Sequence, residues 1–78
     1  MPKLAPIHYE TLIKIFEQEG FQIARTKGDH LMMAKAGIKR PLVIKTSPRE
    51  VAVTHIKTNL NTAGMSRERY FELLEKTK

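Results

Sequence analysis

Seventy-eight residues support one small hydrophobic core and exclude two, because a chain of this length buries little more than about 60% of its unfolded surface. Cysteine is absent and only five residues are aromatic, which excludes a disulfide framework and a thiolate zinc site, leaves stability to aliphatic packing, and fits a reducing, cytoplasmic setting. The net charge of +6 is uneven: from Arg25 to Arg49 seven cations face the single Asp29, while the rest of the chain balances at seven of each sign.

The pattern predicts a first helix over Ile7 to Glu19, where Leu12, Ile13, Ile15 and Phe16 fall at helical spacing and Gly20 follows as a stop. Residues Phe21 to Arg25 alternate as a strand, and Lys27-Gly28-Asp29 supplies the turn that ends it. His30 opens a second strand that continues over Leu31 to Ala36. The stretch Ala36-Gly37-Ile38-Lys39 then connects to a third strand over Pro41 to Lys45. A loop is expected from Thr46 to Val53, because Ser47-Pro48-Arg49-Glu50 resembles a capping box but Val51 and Val53 disfavour a long helix. Thr54 is the expected N-cap of a second helix ending at Ala63, with Ile56, Leu60 and Ala63 inward and Gly64 as the stop. Ser66 caps a third helix over Arg67 to Lys76, with Tyr70, Phe71 and Leu74 as its apolar stripe.

This order implies one α+β domain spanning residues 1–78, with a helix, a three-stranded antiparallel sheet, a helix and a short C-terminal helix. Helices cover one face of the sheet. The other face is left open, and with basic strands it is the natural surface for RNA or a partner. No apolar run approaches the roughly 18 residues that span a bilayer, and Met1-Pro2-Lys3-Leu4 lacks the apolar segment of a signal peptide.

The clustered charge is what a nucleic-acid binder needs, since each neutralised phosphate releases counterions. Arg25, Lys27, Lys35, Lys39, Arg40 and Lys45 are the candidate RNA contacts. His8, His30 and His55 lie far apart in sequence and in no metal-ligand spacing, so no metal and no cofactor are expected. Ser47 and Ser66 sit in no nucleophile-elbow setting, and Gly28 has no phosphate-cradling loop around it. His30 is distinct because it follows a Gly-Asp turn inside the basic segment, where an imidazole can exchange protons near neutrality beside cations that stabilise a phosphorane. Spacing alone favours a polar strand-start residue at this position. Asp29 is positioned to orient the imidazole, against the usual alternation of strand neighbours. His8 reads as a helix-start residue and His55 as a structural or surface residue in the first turn of the second helix.

Taken in order, Ile15-Phe16-Glu17-Gln18-Glu19-Gly20-Phe21, Arg25-Thr26-Lys27-Gly28-Asp29-His30, Ile56 to Gly64, and Ser66 to Phe71 resemble the HicA (YcfA-like) toxin family nearly end to end. The resemblance implies a double-stranded-RNA-binding-domain-like fold, a toxin that cleaves mRNA, and a HicB-type antitoxin as partner. It also implies that His30 is the family's characteristic histidine and the catalytic group. Two positions depart from the pattern: Asp29 stands where the family usually has Ser, and no second histidine occurs near Pro48.

Three readings follow. The first is a metal-independent endoribonuclease using His30 as general acid or base. The second is a non-catalytic RNA-binding module using the same basic face. The third is a protein-interaction domain whose basic face meets only an acidic partner.

Overall fold

A computed structural model describes residues 3–77, so the Met1-Pro2 start and the last residue of the expected 1–78 unit lie outside the described residues. The elements run β1 (Ile7–His8), α1 (Tyr9–Gln18), β2 (Gln22–Lys27), β3 (His30–Ala34), β4 (Leu42–Lys45), β5 (Glu50–Val51), α2 (Val53–Ala63) and α3 (Arg67–Thr77). The architecture is the expected α+β arrangement of three helices and a three-stranded antiparallel sheet. Its strand order is β2-β3-β4, and a separate two-stranded pair joins β1 to β5.

That extra pair corrects two expectations. The first helix does not begin at Ile7: Ile7 pairs with Val51 and His8 with Glu50, and the Tyr9 amide donates to the Arg49 carbonyl at 2.9 Å. The expected loop from Thr46 to Val53 therefore contains a strand, whose Val51 is buried. His8 is the N-cap of α1, its Nδ1 accepting from the Glu10 amide at 3.1 Å, which gives this imidazole a structural task.

The second helix begins two residues earlier than expected. Its N-cap is Ala52, with no side-chain cap bond, and Thr54 lies inside the first turn, where its carbonyl accepts from the Thr58 hydroxyl at 3.0 Å. Gly64 does end the helix, in the left-handed region at φ 69°, where a side chain would be strained. Ser66 caps α3 through a bond from the Arg69 amide to its Oγ at 3.1 Å. The apolar stripe of α3 is shifted: Tyr70 and Leu73 are buried, whereas Phe71 and Leu74 are only half-buried.

The core is aliphatic. Leu12, Ile15 and Phe16 from α1 meet Leu31 and Met33 from β3, Leu42 and Ile44 from β4, Ile56 and Leu60 from α2, and Tyr70 and Leu73 from α3 in one cluster. An ion pair between Glu19 and the Arg69 Nε ties the end of α1 to α3. Because β3 and β4 alternate, with Leu31, Met33, Leu42 and Ile44 inward, their intervening residues lie on the sheet's other face, away from the core.

Candidate active site

The site is built on that uncovered face, and strand register decides which residues it holds. His30 pairs with Lys27 on one side and Lys45 on the other, so the three form a row across the sheet. Met32 pairs with Arg25 and with Val43, making the next row. A bulge sets this alignment. The register shifts between Ile23 and Arg25, so that Ile23 opposes the inward Met33 while Arg25 opposes the outward Met32. Without the extra residue, positions 23 and 25 would share a face and Arg25 would lie opposite the core residue Leu31.

His30 stands at the tip of the β2–β3 hairpin. Gly28 takes φ 57°, and no other residue type among those described has positive φ, which is the arrangement of a two-residue turn with glycine first. The Asp29 carbonyl accepts from both the Thr46 amide, at 2.9 Å, and the Thr46 hydroxyl, at 3.3 Å, so the turn is held to the end of β4. Since Asp29 lies in the turn and not in the strand, alternation does not carry it to the opposite face. Its Oδ1 is 2.9 Å from His30 Nδ1, with both side chains about half exposed at 55% and 48%. A carboxylate on Nδ1 fixes the ring orientation and leaves Nε2 free for a substrate.

Two hollows meet at His30. One, of about 500 Å³, runs over the sheet and is lined by Arg25, Lys27, Met32 and Val43. The other, of about 300 Å³, lies between the sheet and α2 and is lined by Val43, Lys45, His55, Thr58, Asn59 and Thr62. His30 and Val43 belong to both. Val43 is 44% exposed, an apolar surface between cations on which a base can lie.

The α2 wall is a feature that charge clustering did not reveal. His55, Thr58, Asn59 and Thr62 stand at i, i+3, i+4 and i+7, which makes a single stripe beside the buried stripe of Ile56 and Leu60. That polar spacing is the signal by which the sequence could have exposed it. Among the described residues Asn59 is the buried polar residue of the core layer, only 3% exposed, and its Nδ2 has no hydrogen-bond partner there. An unmade bond of this kind costs about 1–3 kcal/mol and needs a reason.

The remaining candidate cations are elsewhere. Lys39 and Arg40 lie in the β3–β4 connection, at the end of the hairpin away from His30, roughly 13 Å along a strand rising about 3.3 Å per residue. Lys35 reaches over the Phe21 ring, its Nζ 5.7 Å from the ring centre, and lines a separate hollow with Glu19 and Arg69. Among the described residues no group of three or more histidine, aspartate or glutamate side chains is placed to hold a metal ion. No described helix is long and apolar enough to cross a membrane.

Compared with known families, residues 9–65 match the one described as HicA toxin of bacterial toxin-antitoxin. The chain belongs to the HicA toxin family. The match spans both walls of the site, since it includes His30 and the α2 stripe, and family membership brings a toxin role and an antitoxin partner. Comparisons with curated proteins and with solved structures return no match.

Proposed function

We propose that this HicA-family chain is an endoribonuclease that cleaves mRNA without a metal ion, with His30 as its general acid or base and a HicB-type antitoxin as its inhibitor. The observation that carries the reading is the row Lys27-His30-Lys45, with Asp29 on the Nδ1 of His30. Attack of a ribose 2′-hydroxyl on the adjacent phosphate needs a proton acceptor beside the hydroxyl and cations beside the phosphorane oxygens. The row supplies both within one strand spacing of about 5 Å on either side. Arg25 extends the positive strip, and the surface of the exposed Val43 and half-buried Met32 receives a base. A cyclic phosphate end is the expected product.

Lys39 and Arg40, farther along the hairpin, serve flanking phosphates, and Lys35 sits at the margin of this footprint. The open basic face of a three-stranded sheet with helices behind it also supports the double-stranded-RNA-binding-domain-like description. An acidic surface on the antitoxin, laid over His30 and its neighbouring cations, would block substrate entry directly.

The test is His30→Ala in chelator-treated protein. Loss of a general acid or base typically slows the reaction by about 10²–10⁴, while RNA affinity changes by no more than about tenfold. Growth inhibition should disappear with cleavage. A folded His30→Ala protein that cleaves at the wild-type rate sinks the catalytic assignment. Equal RNA binding with no cleavage by either protein supports the binding-module reading instead.

A further inference from the structure

His30 accounts for one proton transfer, but cleavage by 2′-hydroxyl attack has two: one proton leaves the nucleophile and another must reach the departing 5′-oxygen. The cleft between the sheet and α2 holds a group suited to the second. His30 and Lys45 form its strand wall, and His55, Thr58, Asn59 and Thr62 form its helix wall. At about 300 Å³ it lies at the lower end of small-molecule clefts, which span about 300–1,000 Å³, so it fits a single nucleotide unit and not a duplex.

The helix wall is prepared for a polar ligand. Asn59 is only 3% exposed, lines the cleft, and its Nδ2 has no partner among the described residues. His55 is exposed, and among the described residues its ring makes no hydrogen bond or ion pair. Its backbone amide is fixed in the first turn of α2 by the Ala52 carbonyl at 3.0 Å. The following residue, Ile56, is fully buried, which holds the helix in register against β4.

We propose that His55 is the second proton-transfer group of this site, an inference that rests on the ribonuclease reading above. His30, whose Nδ1 is taken by Asp29, removes the 2′-hydroxyl proton through Nε2. The 2′-oxygen bonds to phosphorus as the bond from phosphorus to the 5′-oxygen breaks. His55, protonated, gives its proton to that oxygen across the cleft. The products are a 2′,3′-cyclic phosphate and a 5′-hydroxyl, and exchange of one proton with water at each histidine resets the pair. Lys45, paired with His30 on the strand wall, faces the phosphate, and Asn59 Nδ2 donates to the nucleotide unit held in the cleft.

The experiment compares an oligoribonucleotide with the same molecule carrying sulfur in place of the bridging 5′-oxygen at its mapped cleavage site. A thiolate leaves without a proton, so a general acid has nothing to contribute to it. His55→Ala should slow cleavage of the oxygen substrate by about 10²–10³ and of the sulfur substrate by less than about threefold, whereas His30→Ala should slow both. His55→Gln should behave as His55→Ala does, since glutamine keeps the size and polarity but transfers no proton. Equal losses on the two substrates, or no loss on the oxygen substrate, overturn the proposal. If both His55 variants fail to fold, the residue is structural and the proposal is again overturned. Failure of the parent reading looks different: wild-type protein would then cleave neither substrate, or His30→Ala would cleave as wild type does.

Discussion

Replacing Asp29 by Asn separates two opposing effects that meet at one side chain. The carboxylate lies 2.9 Å from His30 Nδ1 and is aligned with a ring that becomes positively charged as it takes a proton. Both groups are about half exposed, so the solvent value of the Coulomb energy applies and the buried one does not: about 332/(80 × 2.9), or roughly 1.4 kcal/mol, with exposed pairs usually realising 0–1. A loss of about 1 kcal/mol in the transition state is roughly a fivefold drop in kcat. The same carboxylate repels the approaching phosphate, so its removal should strengthen RNA binding by a comparable factor and lower KM. Steady-state cleavage of a short RNA at fixed salt, together with direct binding to a 2′-deoxy analogue, reads the two effects separately. Asp29→Ser, which restores the residue usual in the family, should gain the affinity and lose the orienting bond in the same way. If kcat is unchanged while affinity rises, Asp29 does nothing for His30 and the orientation argument is wrong.

Removing Arg25, Lys27 or Lys45 should lower both kcat and the salt dependence of RNA binding, each flattening the log–log slope by about 0.7–0.9. Lys39→Ala and Arg40→Ala should flatten the slope and leave kcat alone, and Lys35→Ala should change least; a larger kcat effect at Lys39 than at Lys27 would contradict the register argument. Burial pushes the Tyr70 hydroxyl up to about 12 from its ordinary 10. The folded state therefore holds the phenol proton more tightly than the unfolded chain, so stability is retained below about pH 10 and falls between pH 10 and 12, by about 2–3 kcal/mol in all. Tyr70→Phe should remove that alkaline loss at little cost near neutrality, because the hydroxyl has no partner among the described residues; urea unfolding at pH 8 and pH 11 checks both, and an alkaline loss unchanged in Tyr70→Phe would refute the assignment. Leu73→Ala should cost about 2–5 kcal/mol in urea unfolding and Leu74→Ala clearly less, since only Leu73 is buried.

Local chemistry made much of the fold legible. Gly20 and Gly64 close their helices, Ser66 caps α3, and the Gly28-Asp29 turn lies between two strands, because each of these depends on residues adjacent in the chain. The missed β1–β5 pair is the opposite case. It joins residues more than forty positions apart through two residues on each side, too few for any alternation to register. The apolar stripe of α3 was displaced because Phe71, Leu73 and Leu74 are all apolar, and packing against α1 selects Leu73.

The site divides along the same line. His30 was visible because its turn, its strand and its cationic neighbours are consecutive in the chain. Which of those neighbours reach it was not visible, since a single bulge residue decides whether Arg25 faces solvent or core. His55 lies outside the charged segment and meets His30 only through the packing of α2 on β4. That packing is nevertheless firmly determined. Four side chains at the site are each next in sequence to a core residue: His30 to Leu31, Lys45 to Ile44, His55 to Ile56, and Asn59 to Leu60. Buried neighbours of this kind leave little freedom to the backbone that carries them, so the two histidines are held by one core from two different elements. A substitution that shifts α2 relative to β4, such as Ile56→Ala, should therefore disturb the relation between His30 and His55 without touching either ring. Loss of cleavage beyond the loss of folded protein would be its mark, while Leu12→Ala, remote from the cleft, should lower stability without that additional loss.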